Sequence, residues 1–146
     1  MMSKKTKYAL KALTALARVY PQGKLTIQAI ADQERIPKKF LEQILLELKR
    51  QRLVSSLQGS RGGYYLLKQP DDITLAQVYR IFDGAIALVP CVSVNFYEPC
   101  ADCSDEKSCH LRRELAWVRD QADGIMSQVT LSNLLQPGDT HWSPVI

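Results

Sequence analysis

Apolar and polar positions alternate at helical spacing in three segments of the first 52 residues. From Thr6 to Val19 the apolar residues recur every three or four positions, and Pro21-Gln22-Gly23 ends this first helix. Thr26 is a suitable N-cap for a short second helix. Pro37 stands at the first position of a third helix, where proline is tolerated, and this helix runs to about Arg52. Two helices joined by a short turn, the second longer and basic at its start, predict a helix-turn-helix.

Two short strands are predicted directly after these helices. Leu53–Leu57 and Tyr64–Leu67 are apolar segments with β-branched or aromatic residues. The six residues between them include three glycines, which permit a tight hairpin tip, and Arg61 projects from that tip. A phosphate-binding glycine loop is excluded because no Gly-Lys-Ser/Thr follows. A basic hairpin after the second helix of a helix-turn-helix predicts the wing of a winged helix.

Further helices are predicted in the second half of the chain. Thr74 is a suitable cap for a helix that ends near Asp83-Gly84. After a polar, irregular segment a long amphipathic helix begins at about Leu111, and Thr130 caps a last turn that ends at Leu135. The apolar positions of the long helix share one face: Leu111, Leu115, Val118, Ala122, Ile125, Met126 and Val129.

This apolar face needs more cover than so small a domain supplies. A second copy of the chain is the economical source, since twofold symmetry suits paired DNA half-sites, and packing on its own domain is the alternative. We therefore expect a mainly α fold with a small β wing, a winged helix-turn-helix followed by a long C-terminal dimerisation helix. The predicted units are the DNA-binding domain at 1–85, a cysteine-bearing sensor loop at 86–110, the dimerisation helix and terminal turn at 111–136, and a loose tail at 137–146.

Charge divides the chain into a basic and an acidic half. The formal net charge is +4, but residues 1–69 contain 14 Lys or Arg against 4 Asp or Glu, and residues 70–146 contain 5 against 11. A basic half of this density, combined with a helix-turn-helix, predicts double-stranded DNA as the partner. There is no apolar run of membrane-spanning length and no signal-peptide pattern, so we expect a cytoplasmic protein without membrane association.

The four cysteines, Cys91, Cys100, Cys103 and Cys109, fall within 19 residues, and His110 follows the last of them. Soft sulfur ligands suit an iron–sulfur cluster or zinc, while a reversible disulfide or a loop without any cofactor are the other interpretations. The Cys-x-x-Cys between the second and third cysteines is formally a redox motif. It lacks the strand–helix context and the catalytic partners of an oxidoreductase, so an enzyme is not expected.

Several segments together resemble the IscR/NsrR/CymR group of bacterial regulators, the Rrf2 family. The resemblance covers about residues 3–135 with matching order and spacing. The segments that carry it are Tyr8-Ala9-Leu10-Lys11-Ala12-Leu13, Ile27-Gln28-Ala29-Ile30-Ala31, Phe40-Leu41-Glu42-Gln43-Ile44-Leu45, Gly59-Ser60-Arg61-Gly62-Gly63-Tyr64 and Ile73-Thr74-Leu75. It implies a homodimeric transcription factor whose long C-terminal helix crosses to the partner subunit. It also implies that the cysteine loop holds an iron–sulfur cluster, 2Fe–2S in preference to 4Fe–4S, with zinc as the lesser alternative.

The cysteine spacing departs from the family pattern. Cys103-x5-Cys109 matches its last two ligands, and either Cys91 or Cys100 could be the first, so all four cysteines are candidate metal ligands. Some relatives use a carboxylate near the N-terminus, but here Lys7 precedes Tyr8. Others use a histidine where this chain has Arg112, and His110 is next to the last cysteine. The cluster type and its ligands therefore stay open.

The helix-turn-helix and the wing predict which side chains contact DNA. Gln43 can read adenine, Glu42 can accept from a cytosine amine, and the lysines before them suit phosphates. The tip of the wing reaches the minor groove or the backbone, and Gln28 suits a phosphate. The complete predicted set is Gln28, Lys38, Lys39, Phe40, Glu42, Gln43, Ser60, Arg61 and Gly62.

Overall fold

A computed structural model describes residues 1–136 of the chain; the predicted tail at 137–146 lies outside this range. The α-helices are α1 (Lys4–Arg18), α2 (Ile27–Glu34), α3 (Lys38–Arg50), α4 (Leu75–Phe82), α5 (His110–Gln128) and α6 (Leu131–Leu135). The strands are β1 (Val54–Leu57) and β2 (Gly63–Leu66), and single 3-10 turns lie at Pro70–Asp72 and Pro90–Val92. None of the described helices is long and apolar enough to cross a membrane. The predicted mainly α fold with a small β wing is confirmed.

Capping explains where the first three helices begin and end. Ser3 Oγ accepts from the Thr6 amide at 3.2 Å, so α1 starts two residues earlier than predicted. Thr26 caps α2 as predicted, with its Oγ1 accepting from the Ala29 amide at 3.1 Å. Pro37 is the N-cap of α3, not its first residue. Arg52 has a positive φ of 56°, so α3 ends at Arg50 before the left-handed residue is reached.

The core joins the helix-turn-helix to the second half of the chain. Its fully buried side chains come from the helices α1, α2, α3, α4 and α6, from β1, and from the residues just before β1 and α4: Leu13, Leu16, Ile30, Leu41, Ile44, Leu45, Leu48, Leu53, Val54, Ile73, Val78 and Leu131. α1 packs against α2, α3, α4 and α6, and therefore forms the centre of the domain. In contrast, α5 has no buried residue, and contacts α4 and the 3-10 turn at Pro90–Val92.

The wing is an antiparallel pair in which Val54 lies opposite Leu66 and Leu57 lies opposite Gly63. β1 begins one residue later than predicted and ends at Leu57 as predicted, and β2 is displaced by one residue towards the N-terminus. β2 also exchanges two backbone hydrogen bonds with the segment before α2, between Tyr64 and Leu25, at 3.0 and 2.8 Å. Gly63 has a φ of 148°, and a Cβ there would lie 2.8 Å from the Leu25 carbonyl oxygen. Glycine is therefore required for the close contact that fixes the wing to the helix-turn-helix.

The C-terminal helices are also capped by side chains. Thr74 Oγ1 accepts from the Gln77 amide at 3.2 Å at the start of α4, as predicted. The Cys109 Sγ accepts from the Arg112 amide at 3.4 Å, which places the start of α5 at His110. At the start of α6 the Thr130 amide donates to Asn133 Oδ1 at 2.7 Å.

Asp83 connects the end of α4 to the beginning of α1. One of its carboxylate oxygens accepts from the Ser3 amide at 3.0 Å and from the Thr6 hydroxyl at 2.7 Å. Burial by itself raises the pKa of Asp83, but the hydrogen bonds from Ser3 and Thr6 outweigh it and lower the pKa below its usual value. The carboxylate is therefore held in its charged form at the junction where the chain leaves the winged helix.

Candidate nucleic-acid interface and cysteine loop

The N-terminal end of α3 presents four polar side chains to solvent. Lys38, Lys39, Glu42 and Gln43 are exposed, whereas Leu41, Ile44, Leu45 and Leu48 on the other side of the helix are buried. Lysines in the first turn of a helix oppose its macrodipole, so they do not stabilise the helix. However, the unpaired backbone amides at a helix N-terminus bind anions, and the two lysine amines strengthen this preference. This end of α3 is thus suited to phosphate contacts, with Glu42 and Gln43 beside them.

Phe40 is placed differently from the four polar residues. Its ring is half-buried and makes an edge-to-face contact with Tyr8 on α1, with the ring centroids 5.7 Å apart. This contact is worth about 1 kcal/mol beyond the burial of the rings. Phe40 therefore helps to hold α3 on α1, and the DNA contact predicted for it from the sequence stays a prediction.

The turn between α2 and α3 adds a basic residue that the sequence did not indicate. Arg35 is exposed and has a left-handed conformation with φ 55°, and the next residue, Ile36, is buried. The Ile36 amide donates to the Ala31 carbonyl at 3.0 Å and closes the turn. Gln28, at the start of α2, is exposed as expected, but its amide nitrogen donates to Asp32 Oδ1 at 2.9 Å. A DNA contact by Gln28 has to compete with this hydrogen bond.

The wing tip is shaped by its glycines. Ser60 and Arg61 are exposed, and the Gly62 amide donates to the Gly59 carbonyl at 3.0 Å. A Cβ on Gly62 would lie 2.2 Å from the Leu57 carbonyl oxygen, so this residue shapes the tip through its backbone. The amine of Lys49 on α3 donates to Ser56 Oγ on β1 at 2.8 Å and connects the wing to α3. Pattern reasoning missed Lys49 because the contact depends on the strand's orientation.

The cysteines are distributed unevenly over the loop between α4 and α5. Cys91 is buried in the 3-10 turn, Cys100 is exposed, and Cys103 and Cys109 are half-buried; all four are free thiols. The thiols that affect the pKa of Cys103 are those of Cys109 and Cys100. Burial raises the pKa of Cys103, a hydrogen bond from the Asp105 amide opposes this, and the two neighbouring thiols raise it further.

The donor set fits a sulfur-bound cofactor. Cys100, Cys103 and Cys109 offer three thiols in one loop, which is the ligand chemistry of iron–sulfur clusters and of zinc. Across residues 1–136 no three Cys, His, Asp or Glu side chains are already arranged as metal ligands. Binding would therefore draw the thiols closer together. His110 is exposed at the start of α5, where the sequence placed it as a further candidate ligand.

Polar contacts brace this loop. The Tyr97 hydroxyl donates to Glu106 Oε1 at 2.5 Å, and the Arg112 Nε lies 3.7 Å from Glu106 Oε2. The hydrogen bond to Glu106 raises the pKa of Tyr97. Arg112 Nε also donates to the Cys91 carbonyl at 3.1 Å. Arg112 therefore links two parts of the cysteine loop, the backbone at Cys91 and the carboxylate of Glu106.

Comparison with known proteins agrees with this architecture. The model of the Rrf2 family, described as an iron-dependent transcriptional regulator, matches residues 2–137. An rrf2-like HTH-type protein of Rhodobacter capsulatus is 43% identical over 143 residues, which cover 95% of each chain. The structure of CymR, the global cysteine regulator of Bacillus subtilis, superimposes with a TM-score of 0.75 at 28% identity, covering 92% of this chain and 95% of CymR.

A second solved structure supports the fold alone. The IscR of T. potens superimposes with a TM-score of 0.71 at 22% identity, covering 92% of this chain and 85% of that protein. The match to the family model extends over nearly the whole chain, and the relatives from Rhodobacter capsulatus and Bacillus subtilis are described as HTH-type transcriptional regulators, not as enzymes. The chain therefore belongs to the Rrf2 family, and it is a transcription regulator that shares the fold of CymR and IscR.

Proposed function

We propose that the chain acts as a homodimer that binds operator DNA, and that an iron–sulfur cluster or the redox state of its cysteine loop controls this binding. The observation that carries the DNA-binding part is the exposed set Lys38, Lys39, Glu42 and Gln43 at the N-terminal end of α3. Such a set combines phosphate contacts with base-reading groups at the point where a recognition helix enters the major groove. Arg61 on the wing extends the same interface.

The homodimer is supported by the apolar face of α5. Leu111, Leu115, Val118, Ala122, Ile125 and Val129 follow each other at alternating intervals of four and three residues, which is the spacing of a coiled-coil seam. Leu111 is 66% exposed and Ile125 is 63% exposed in the single chain. A second copy of α5, packed against this seam, would remove these side chains from water.

The control of DNA binding is assigned to the cysteine loop. Cys103 and Cys109 would hold a cluster together with Cys100, and Cys91 is the remaining candidate. A bound cluster would supply a centre that responds to iron or to oxidants by changing its charge or by being lost. The chain holds these thiols in the loop between the end of α4 and the start of α5. A rearrangement of the loop would therefore move the adjoining ends of both helices.

Selection from random-sequence DNA duplexes tests the DNA-binding part. We expect enrichment of an inverted repeat whose half-sites are about one helical turn apart, with affinity that falls steeply as salt is raised. Replacing Gln43 by alanine is expected to relax the base preference at one position of each half-site by about tenfold. A pool that shows no enrichment after repeated rounds would contradict the assignment of α3 as a recognition helix.

Anaerobic purification tests the cluster. We expect a coloured protein with iron and sulfide in comparable amounts, and an affinity for the selected operator that changes when the colour is lost. Cys103→Ala is expected to abolish both the colour and this change, whereas Ser104→Ala, next to it in the loop, should preserve them. A colourless protein that carries zinc or no metal would rule out the cluster.

The thiol-based alternative rests on a separate observation, the influence of the Cys109 thiol on Cys103, whose pKa it raises, in a loop where both side chains are half-buried. Two neighbouring thiols can form a disulfide when an oxidant such as peroxide removes two electrons. If the colourless protein loses operator affinity with peroxide and regains it with a dithiol reductant, this alternative replaces the cluster.

A further inference from the structure

α5 contacts the rest of its own chain mainly through polar side chains. Arg112 donates to the Cys91 carbonyl at 3.1 Å, Arg119 Nη1 donates to the Val92 carbonyl, and Asp123 pairs with Arg80 on α4. We call this row of α5 residues, Arg112, Arg119 and Asp123, the polar seam. Its spacing of seven and four residues places all three on one side of the helix. With about 100° of rotation per residue, the polar seam lies roughly 100° around the helix from the apolar face.

Arg119 is the most enclosed member of the polar seam. Its side chain is 19% exposed, and its Nε and Nη2 atoms donate to Asp120 at 2.9 and 2.6 Å. With its charge balanced by Asp120, the remaining Nη1 is directed to the Val92 carbonyl. Arg112 holds the preceding carbonyl, that of Cys91. The two guanidinium groups therefore donate hydrogen bonds to consecutive carbonyls of the 3-10 turn that contains Cys91.

Further polar contacts join α5 to the winged helix. Asp123 pairs with Arg80 in the last turn of α4. The C-cap of α4 is Asp83, whose carboxylate binds Ser3 and Thr6 at the start of α1. Polar contacts thus join the turn at Cys91 to α5, α5 to α4, and α4 to α1, the helix at the centre of the winged helix.

We propose that Arg119 is a positioning residue of the cysteine loop, which with Arg112 clamps the turn at Cys91 onto α5, and that the Arg80–Asp123 pair transmits the state of this turn to the winged helix. The second part rests on the proposed function. Polar contacts suit this task because water replaces them at small net cost, whereas a packed apolar interface resists sliding. The Arg80–Asp123 pair therefore lets α5 change its angle to the winged helix while its apolar face stays paired with the second copy.

The clamp is tested by the reactivity of Cys91. In a chain carrying Cys100→Ser, Cys103→Ser and Cys109→Ser, only Cys91 reacts with 5,5′-dithiobis(2-nitrobenzoate), and no cluster forms. We expect Arg119→Gln to raise the labelling rate of Cys91 about fivefold to tenfold, since the turn then opens more often. Arg119→Lys, which keeps one donor, should restore most of the protection. Arg113→Gln is the matched control, because Arg113 lies on α5 and pairs with Glu114 outside the polar seam.

Circular dichroism separates opening of the turn from unfolding, because Arg119→Gln is expected to retain the helix content and the cooperative melting of its parent. An unchanged labelling rate overturns the clamp. If the labelling rate of Cys91 rises equally in Arg119→Gln and Arg113→Gln, the clamp is also wrong. The loss of any positive charge on α5 would then be enough to expose Cys91.

Transmission is tested in the chain with all four cysteines. Operator affinity is measured for the reduced, the iron–sulfide-reconstituted and the peroxide-treated forms, and the largest ratio between two forms is taken. We expect Asp123→Asn to reduce this ratio to less than about a third of that of the wild type, and the exchanged pair Arg80→Asp with Asp123→Arg to restore it. If Asp123→Asn keeps the wild-type ratio of operator affinities, the Arg80–Asp123 pair does not transmit the state of the turn. A wild type with equal affinities in all forms overturns the proposed regulation and transmission together, while the labelling rates still decide the clamp.

Discussion

Replacing Ile125 by aspartate is expected to convert the homodimer into a monomer and to weaken binding to a two-half-site operator by at least about a hundredfold. Ile125 is 63% exposed in the single chain and lies near the C-terminal end of the coiled-coil seam on α5. In a homodimer the substitution puts a carboxylate from each subunit into an apolar interface, where a charge without a partner costs several kcal/mol. A protein that reads both half-sites at once loses the second contact when it is monomeric.

Light scattering measures the mass, and fluorescence anisotropy measures affinity for operators with one or two half-sites. The matched control is Ser127→Asp, which adds the same charge two residues further along α5 but on the side away from the apolar face. The control should stay dimeric. Affinity for a single half-site should be similar in the wild type and in Ile125→Asp, because the winged helix itself is unchanged. A dimeric Ile125→Asp protein with full operator affinity would show that α5 is not the dimer interface.

Reversing the charge of Arg61 is expected to weaken operator binding about a hundredfold at physiological salt, and Arg61→Ala about tenfold. Arg61 is exposed at the wing tip, which the glycine contacts at Leu57 and Leu25 hold in place. Each phosphate contact that is lost lowers the slope of log affinity against log salt by about one. Because Arg61→Glu adds repulsion to the lost contact, its effect should exceed that of alanine.

Arg113→Ala serves as the control for loss of charge alone. The Arg113 side chain is 72% exposed and lies on α5, which is a separate element from the wing. Its affinity and salt slope should stay within a factor of about two of the wild type. If Arg61→Ala behaves like this control, the wing tip does not contact DNA, and the interface is confined to α3.

The local rules of sequence reading predicted the winged helix well. Thr26 and Thr74 act as helix caps because the cap requires only a side-chain oxygen and neighbouring amides, both of which are local. The hairpin was found for the same reason, since its glycines and flanking strands are adjacent in the chain. The shift of the end of α3 to Arg50 arises from the left-handed conformation of Arg52, for which a non-glycine residue gives no sequence signal.

The contacts around the cysteine loop could not be predicted in this way. Arg112 and Arg119 bind backbone carbonyls, which every residue has, so the identity of their partners leaves no trace in the sequence. The contact of Phe40 with Tyr8 was also not predicted, because it depends on how α3 packs against α1. The division of the chain at residues 85 and 110 stays a prediction, as do the individual DNA contacts and metal ligands.

The length of α5 makes it a lever arm. Its 19 residues extend about 28 Å at a rise of about 1.5 Å per residue. Tilting such an arm by about 5° about one end displaces the other end by about 2.5 Å. Two winged helices carried by a paired α5 would move in opposite directions, so their separation would change by about twice that amount. Consecutive major grooves are about 34 Å apart and tolerate little mismatch. A small rearrangement of a thiol-bearing turn is therefore sufficient, on geometric grounds, to bring the two reading heads in or out of phase with the DNA helix.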